Sequence, residues 1–289
     1  MIIVRLKGGL GNQMFQYALG RVLVSKNNTE LKLDTSFYNL NLRGVTKRGY
    51  DLDVFNISGE IAHKSDIPFF HRLYNNKVVI SLLWVVRKIF KNKGLEKSFN
   101  FDPSVFDIGK NVYLEGYWQS PKYFNSFEDV IRKDFTLKNP PTKNIQDLAK
   151  EISNTKALCI HVRRGDYVGN KSHEVVNNEY YERGVSLVSE KMNIEKIYVF
   201  SDDIAWCENN LKFKFPITFV SNEYAGDKGE GHMYLMRKCK SFIIANSSFS
   251  WWAAWLSYDK EKIVVCPEQW FPDASINTSD LIPKEWIRI

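Results

Sequence analysis

The sequence predicts an α/β protein built on parallel sheets, and three observations carry the prediction. The chain opens as strand, glycine loop, helix and strand, a Rossmann-like beginning. Beyond residue 141, short apolar runs alternate with helical stretches, a pattern that suits parallel strands joined by crossover helices. Each of those runs ends in polar residues, as strands do when their carboxyl ends line a ligand crevice. A chain of 289 residues suffices for one large or two medium domains, and Asn139-Pro140-Pro141-Thr142 is the best break between them. Domains over 1–140 and 141–289 are therefore expected.

The first strand is predicted over residues 2–6. Gly8, Gly9 and Gly11 then form a loop, and Asn12 to Val24 has helical spacing, with Met14, Phe15, Tyr17, Ala18 and Val22 turned inward. A second strand, Leu31 to Leu33, closes on Asp34. Residues 37–135 are harder to read: strand-like Asn111 to Leu114 leads into LEGYWQS among aromatic clusters. Tyr117, Trp118 and Tyr123 here could stack on sugars, although aromatics in a short run more often build a core. After the break, strands are expected at 157–162, 197–201, 217–220, 242–245 and 263–266. Helices are expected over Asn178–Glu190, Ile204–Asn210, Gly231–Lys240 and Ser250–Leu256. No tandem repeat interrupts this order.

Composition is that of a folded protein, 44% apolar and 25% charged. No signal-peptide pattern opens the sequence, and its longest apolar run, Val78 to Val86, is far too short to span a bilayer. Cys159, Cys207, Cys239 and Cys266 stand singly, without metal-ligand or redox spacing, and read as buried thiols of a cytoplasmic protein. The net charge of +7 is unevenly spread: residues 71–97 carry seven Lys and Arg against Glu96 alone. This basic, amphipathic segment suits either peripheral contact with the inner face of a membrane or a solvated helix packed on the core. No nucleic-acid-binding signature accompanies it.

The organising stretch is Lys156 to Tyr167, KALCIHVRRGDY. An apolar strand delivers His161, Arg163, Arg164 and Asp166 to its carboxyl edge, where adjacent guanidiniums suit a diphosphate; a structural Arg–Asp pair is the plain alternative. Asn246 to Leu256, NSSFSWWAAWL, turns from strand to helix through Ser247, Ser248 and Ser250, with Trp251, Trp252 and Trp255 inward. Serines at a helix start cap it or, with the backbone N–H groups, hold an anion. Asp202 and Asp203 follow the strand IYVF; one suits a nucleotide and the other a helix cap, and Asp202 is assigned to the nucleotide. Gly8, Gly9 and Gly11 match a dinucleotide fingerprint up to its third glycine, where Met14 stands. Asp34 lies where a ribose-binding acid would, so a nicotinamide-dependent oxidoreductase is the alternative from a different class. Otherwise Gly9, Gly11, Asn12 and Gln13 bring amides to the sugar side of a site. No metal-ligand pattern is present, and neither a metal nor a cofactor is expected.

GGLGNQMFQYA, HVRRGDY, SDD and IIANSSFSWWAAWL, in this order and spacing, resemble the bacterial α-1,2-fucosyltransferases of glycosyltransferase family eleven. PEQWF and DLIPKEWIRI resemble that family's ending, so the likeness spans nearly the whole chain. The HxRRxD segment is shared with α-1,6- and protein O-fucosyltransferases, so by itself it points to GDP-fucose and not to a linkage. The resemblance implies a GT-B-type fold, two Rossmann-like domains facing across a cleft, with the donor in 141–289 and the acceptor mainly in 1–140. The extreme C-terminus is allowed to pack back on the first domain. It implies metal-independent, inverting transfer of L-fucose from GDP-β-L-fucose to the 2-hydroxyl of a terminal galactose, on an oligosaccharide or a lipid-linked glycan of a surface polysaccharide. Transfer in another linkage is the nearer alternative.

By the same resemblance Arg163 contacts the diphosphate, His161 the guanosine part, Asp202 guanine, and Ser247 or Ser248 a phosphate oxygen. Arg164 and Ser250 complete the donor set, and Gly9, Gly11, Asn12 and Gln13 border the acceptor side. Arg164 is expected to support Arg163 by pairing with Asp166. Asp166 is also the first candidate for the base that takes the acceptor's proton, with Glu174 and His173 behind it, and its salt-bridge role stays open. Two positions depart from the family's pattern: His232 stands before MYLM where an acid is frequent, and Ser241 stands where a histidine is frequent.

Overall fold

The structure, a computed structural model, describes residues 1–40, 46–72, 94–165, 169 and 176–289. It forms two compact units, Met1–Thr136 with Ser279–Leu281, and Leu137–Thr278 with Ile282–Ile289. Of the basic segment, residues 73–93 fall outside the described residues, as do Asp166, His173 and Glu174. Among the described residues no helix is long and apolar enough to cross a membrane.

The first unit holds a parallel sheet of β1 (Ile2–Arg5), β2 (Leu31–Asp34), β3 (Glu60–Ile61) and β4 (Val112–Leu114), in the order β3-β2-β1-β4. Helix α1 (Leu10–Asn27) joins β1 to β2 and is buried along most of its length. It begins two residues before the expected Asn12, because the Gly9 carbonyl already accepts from the amides of Asn12 (2.9 Å) and Gln13 (3.1 Å). Gly11, Asn12 and Gln13 are therefore helical, and the loop shrinks to Gly8 and Gly9. Gly8 has φ +78°, and a Cβ there would lie 2.4 Å from Asn12 Nδ2, so glycine is needed. Residues 279–281 join this unit through Asp280: its carbonyl accepts from Ser120 Oγ (2.6 Å), its carboxylate accepts from the Phe101 amide (2.9 Å) and it pairs with Lys122.

In the second unit β5 (Ala157–Val162), β6 (Lys196–Ser201), β7 (Ile217–Val220), β8 (Ser241–Ile243), β9 (Val264–Cys266) and β10 (Ile287–Arg288) form one parallel sheet. Its order is β10-β9-β8-β5-β6-β7. Every residue of β5 is buried, as expected of a central strand covered on both faces. Leu158, Ile160 and Val162 pack with Tyr180, Tyr181, Val185 and Val188 of the helix Asn178–Lys191. The intervening positions put His161 near Phe249 of the helix Ser248–Leu256, on which Trp251, Trp252 and Trp255 form a buried ring cluster.

Elements not foreseen in the sequence include helices Phe69–Arg72, Glu128–Asp134 and Lys143–Ser153, strand β3, and edge strand β10, which carries the C-terminal residues onto β9. Two further helices differ in extent. The expected 231–240 helix spans Glu230–Met236, and the serine-rich helix begins at Ser248 rather than Ser250. All four cysteines are buried free thiols, and burial pushes the Cys159, Cys207 and Cys266 thiols up.

Candidate active site

In the second unit β5 comes first in the chain yet sits inside the sheet, with β6 and β7 added on one side and β8, β9 and β10 on the other. The direction of strand addition therefore reverses between β5 and β8. Crossovers leave such a pair of strands toward opposite faces, and their carboxyl ends are the place where open α/β sheets bind ligands. HVRR emerges from β5 and NSS from β8, and the His161 ring lies 5.8 Å from that of Phe249, the residue after Ser248. Two motifs that begin 85 residues apart in sequence (161 and 246) thus meet at one edge.

Asp202, at the end of β6, organises the turn after β5. Its carboxylate accepts from the backbone amides of Arg164 (2.9 Å) and Gly165 (3.0 Å), and pairs with Arg163 Nη1 (2.9 Å). A Cβ on Gly165 would lie 2.5 Å from Asp202 Oδ2, so the glycine is what lets the carboxylate approach. Asp203 takes the capping role: its Oδ1 accepts from the Trp206 amide (3.2 Å) at the start of helix Ile204–Asn210. Arg164 was expected to pair with Asp166. Asp166 lies outside the described residues; among those described, the Arg164 Nε lies 3.2 Å from Asp203 Oδ2 and its guanidinium lies 3.9 Å from the centre of the Trp206 ring. The planar, delocalised cation stacks well on an indole face, and that contact holds Arg164 beside the turn.

His161 is 6% exposed, and its Nδ1 is buried without a hydrogen-bond partner among the described residues. Burial pushes its pKa down to about 3, with Arg163 and His232 adding repulsion, so the ring is neutral at physiological pH. His232 is likewise buried and depressed by burial; its Nε2 lies 3.0 Å from the Ser221 carbonyl and its ring packs edge-on to Phe200. The other departing position, Ser241, is buried too, its hydroxyl on Met192 Sδ and the Ile263 amide.

Of the three serines, Ser247 is the N-cap and makes no side-chain cap bond, while Ser248 opens the helix. Ser250 departs from its expected role: it is wholly buried, and its hydroxyl turns back to the carbonyls of Ser247 (3.2 Å) and Ala245 (3.5 Å). Asn246 Nδ2 donates to the Trp270 carbonyl (3.1 Å), fixing the start of the turn. Sequence reasoning missed Trp206 and Phe249. Their signal was present, since Trp206 stands three residues after Asp203 on the helix that Asp203 caps, and Phe249 lies inside NSSFSWW.

The first unit has its own reversal point, between β1 and β4. Gln13 is fully buried and spent on the fold: its amide donates to the carbonyls of Gly8 (3.2 Å) and Gly49 (2.9 Å) and accepts from the Asp51 amide (2.9 Å). Asn12 Oδ1 accepts from Gln119 Nε2 (2.7 Å). Gly9 has no atom within 4 Å of where a Cβ would stand, so its edge of the loop is open. Trp118 and Tyr123 belong to the core at 2% exposure, whereas Tyr117 is 38% exposed beside the glycine loop, with Lys7 Nζ 4.1 Å from its ring centre. The Glu96 carboxylate accepts from the amides of Tyr117 (2.7 Å) and Trp118 (2.8 Å) and fixes that turn. Asp34 is 1% exposed and is held by the Tyr113 hydroxyl and the Ser36 amide (2.8 Å). A buried acid so engaged is not open to a ribose diol, which removes one of the two grounds for the nicotinamide alternative.

The chain is similar to known proteins. The chain is 36% identical to an α-1,2-colitosyltransferase of Escherichia coli, over 100% of this chain and 99% of that protein. It is 24% identical to a galactoside 2-α-L-fucosyltransferase of Caenorhabditis elegans, over 91% of this chain and 71% of that protein. Among solved structures it matches NodZ α-1,6-fucosyltransferase co-crystallised with GDP, at a TM-score of 0.53 and 15% identity, covering 88% of this chain and 91% of that one. This likeness, with the two parallel sheets, gives the chain the GT-B fold. The sequence pattern of Glycosyl transferase family 11 matches residues 86–289, more than half of the length. The chain belongs to glycosyltransferase family 11.

Proposed function

We propose that the protein transfers L-fucose from GDP-β-L-fucose to the 2-hydroxyl of a terminal galactose, with inversion and without a metal. The observation that carries this reading is the meeting of the HVRR turn and the serine turn at the β5–β8 reversal point, with Asp202 holding the first turn in shape. The names of the colitosyl- and galactoside fucosyltransferase relatives support the sugar class and the linkage.

Inverting transfer is a single displacement at the anomeric carbon. The C–O bond to GDP breaks as the acceptor oxygen bonds to carbon, and the acceptor proton leaves to a base. Charge grows on the departing diphosphate, and fixed positive groups there are the largest aid to such a step, one donor contributing about 3–4 kcal/mol. Arg163 supplies that charge. A guanidinium has five N–H donors, so it holds Asp202 and a phosphate oxygen together. The first-turn amides of helix Ser248–Leu256, with Ser247 and Ser248, meet the same diphosphate. His161, kept neutral by burial, offers the nucleoside a hydrogen bond without adding a charge. Asp166, one residue beyond Gly165, is our candidate for the base.

On the acceptor side, the half-exposed Tyr117 ring offers a stacking face for galactose. Tyr38 adjoins it and donates to the Gly8 carbonyl (3.1 Å), and burial with nearby Asp51, Tyr117 and Tyr50 pushes the Tyr38 phenol up. The relative at 36% identity favours one second reading, in which the donor sugar is colitose, fucose without its 3-hydroxyl. Incubating the protein with GDP-fucose or GDP-colitose and a panel of galactose-terminated glycans tests both, with NMR assignment of the product. Transfer of fucose to galactose O2 is the expected result. Exclusive use of GDP-colitose establishes the second reading, and inactivity with every pair overturns both.

A further inference from the structure

A pocket of about 640 Å³ opens in the second unit where the ends of β9 and β10 meet the start of helix Asn178–Lys191. Tyr180 and Pro267, both buried, form part of its lining, and the Tyr180 hydroxyl is fixed on the carbonyls of Ile244 (2.6 Å) and Val265 (3.3 Å). Among the described residues its polar lining is Asn177, Glu179, Arg183, Glu268, Gln269 and Arg288. Arg288 is held rigid by the Thr278 carbonyl (2.9 Å) and hydroxyl (3.3 Å). Asn177 spends its Oδ1 on capping the helix (3.0 Å to the Tyr180 amide), which leaves its amide N–H groups for a guest.

The other four side chains are exposed at the mouth of the pocket. Glu179 and Arg183 stand one helical turn apart without forming an ion pair, and the side chains of Glu268 and Gln269 make no hydrogen bond among the described residues. The pocket therefore presents carboxylate and amide acceptors beside guanidinium and amide donors. Two guanidiniums set against two carboxylates leave the lining without net charge and favour no charged guest, and a lipid chain would leave all these groups desolvated and unpaired. A sugar hydroxyl both donates and accepts, so a neutral polyhydroxylated guest satisfies both sets at once. The volume lies within the range of about 300–1,000 Å³ usual for small-molecule sites.

We propose that this pocket is a second glycan site, which binds a neutral oligosaccharide segment apart from the diphosphate-binding turns. The assignment needs neither the donor nor the linkage proposed above. The test is a titration of the whole protein, labelled at Val and Ile methyl groups, with the tetrasaccharide lacto-N-tetraose and, in parallel, with GDP. Lacto-N-tetraose should shift the Val176 and Ile289 methyl signals saturably at concentrations up to about 10 mM. Arg183→Ala and Gln269→Ala should each weaken that binding by about tenfold while leaving the GDP affinity unchanged. Methyl shifts that stay absent in the folded protein, or that persist unchanged in both variants, overturn the proposal. Shifts at these methyls caused by GDP and lost in Arg183→Ala also overturn it, because they make the pocket part of a nucleotide site.

Discussion

Asp202 does more at the proposed donor site than its sequence position suggested. SDD reads as a nucleotide contact followed by a cap, and Asp203 is indeed the cap. Asp202 ties down two amides and a guanidinium, a structural role that no pattern of residue types announces because its partners lie some forty residues away. Asp202→Asn keeps one acceptor oxygen but loses the charge and at least one of these bonds. It should weaken GDP binding by roughly tenfold to a hundredfold, the scale of a charge-assisted hydrogen bond, measured by calorimetric titration. His161 gives a second prediction. Its folded pKa, about 3, lies below the unfolded value near 6.5, so between those values the unfolded chain binds a proton that the folded chain does not. Stability is therefore lost as pH falls from 6.5, by about 1.4 kcal/mol per unit from this group, and His232 adds in the same direction. Urea unfolding at pH 7 and pH 5 should show a difference about 2 kcal/mol smaller in His161→Gln than in the parent.

Elements rest on close approaches that the sequence shows only as glycines. Gly20 lies midway along α1, where a Cβ would stand 2.4 Å from Val4 Cγ2 and 3.0 Å from Leu31 Cδ1. In an exposed helix Gly→Ala stabilises by up to about 1 kcal/mol. Here overpacking reverses the sign, and Gly20→Ala should cost roughly 1–3 kcal/mol, seen as a Tm several degrees lower by calorimetry. Helix and strand positions were legible wherever periodicity was clean, as in β5 and helix Asn178–Lys191. The starts of α1 and of helix Ser248–Leu256 were not, because they depend on which carbonyl first accepts a helical bond. Gly9 does so before Asn12, and Ser247 before Ser250, which is why Gln13 and Ser250 turn into the fold. The two-residue strand β10 was too short for alternation to register.

At the scale of the whole molecule, parallel sheets could be read from the alternation of strands and helices, but strand order could not. The order 3-2-1-4-5-6 in the second unit depends on which way each crossover turns, and that is settled by packing rather than by local pattern. The order is what matters for function. It sets HVRR and NSS after adjacent strands with the reversal between them, so that motifs beginning 85 positions apart share one edge. The central claim is that this edge grips a guanosine diphosphate through Arg163. Calorimetric titration of GDP into the parent protein and into Arg163→Ala tests it most directly. Saturable binding to the parent, weakened at least about a hundredfold in the variant at unchanged folded CD, is the predicted result; equal affinity in the two proteins, or no binding to the parent, would contradict it.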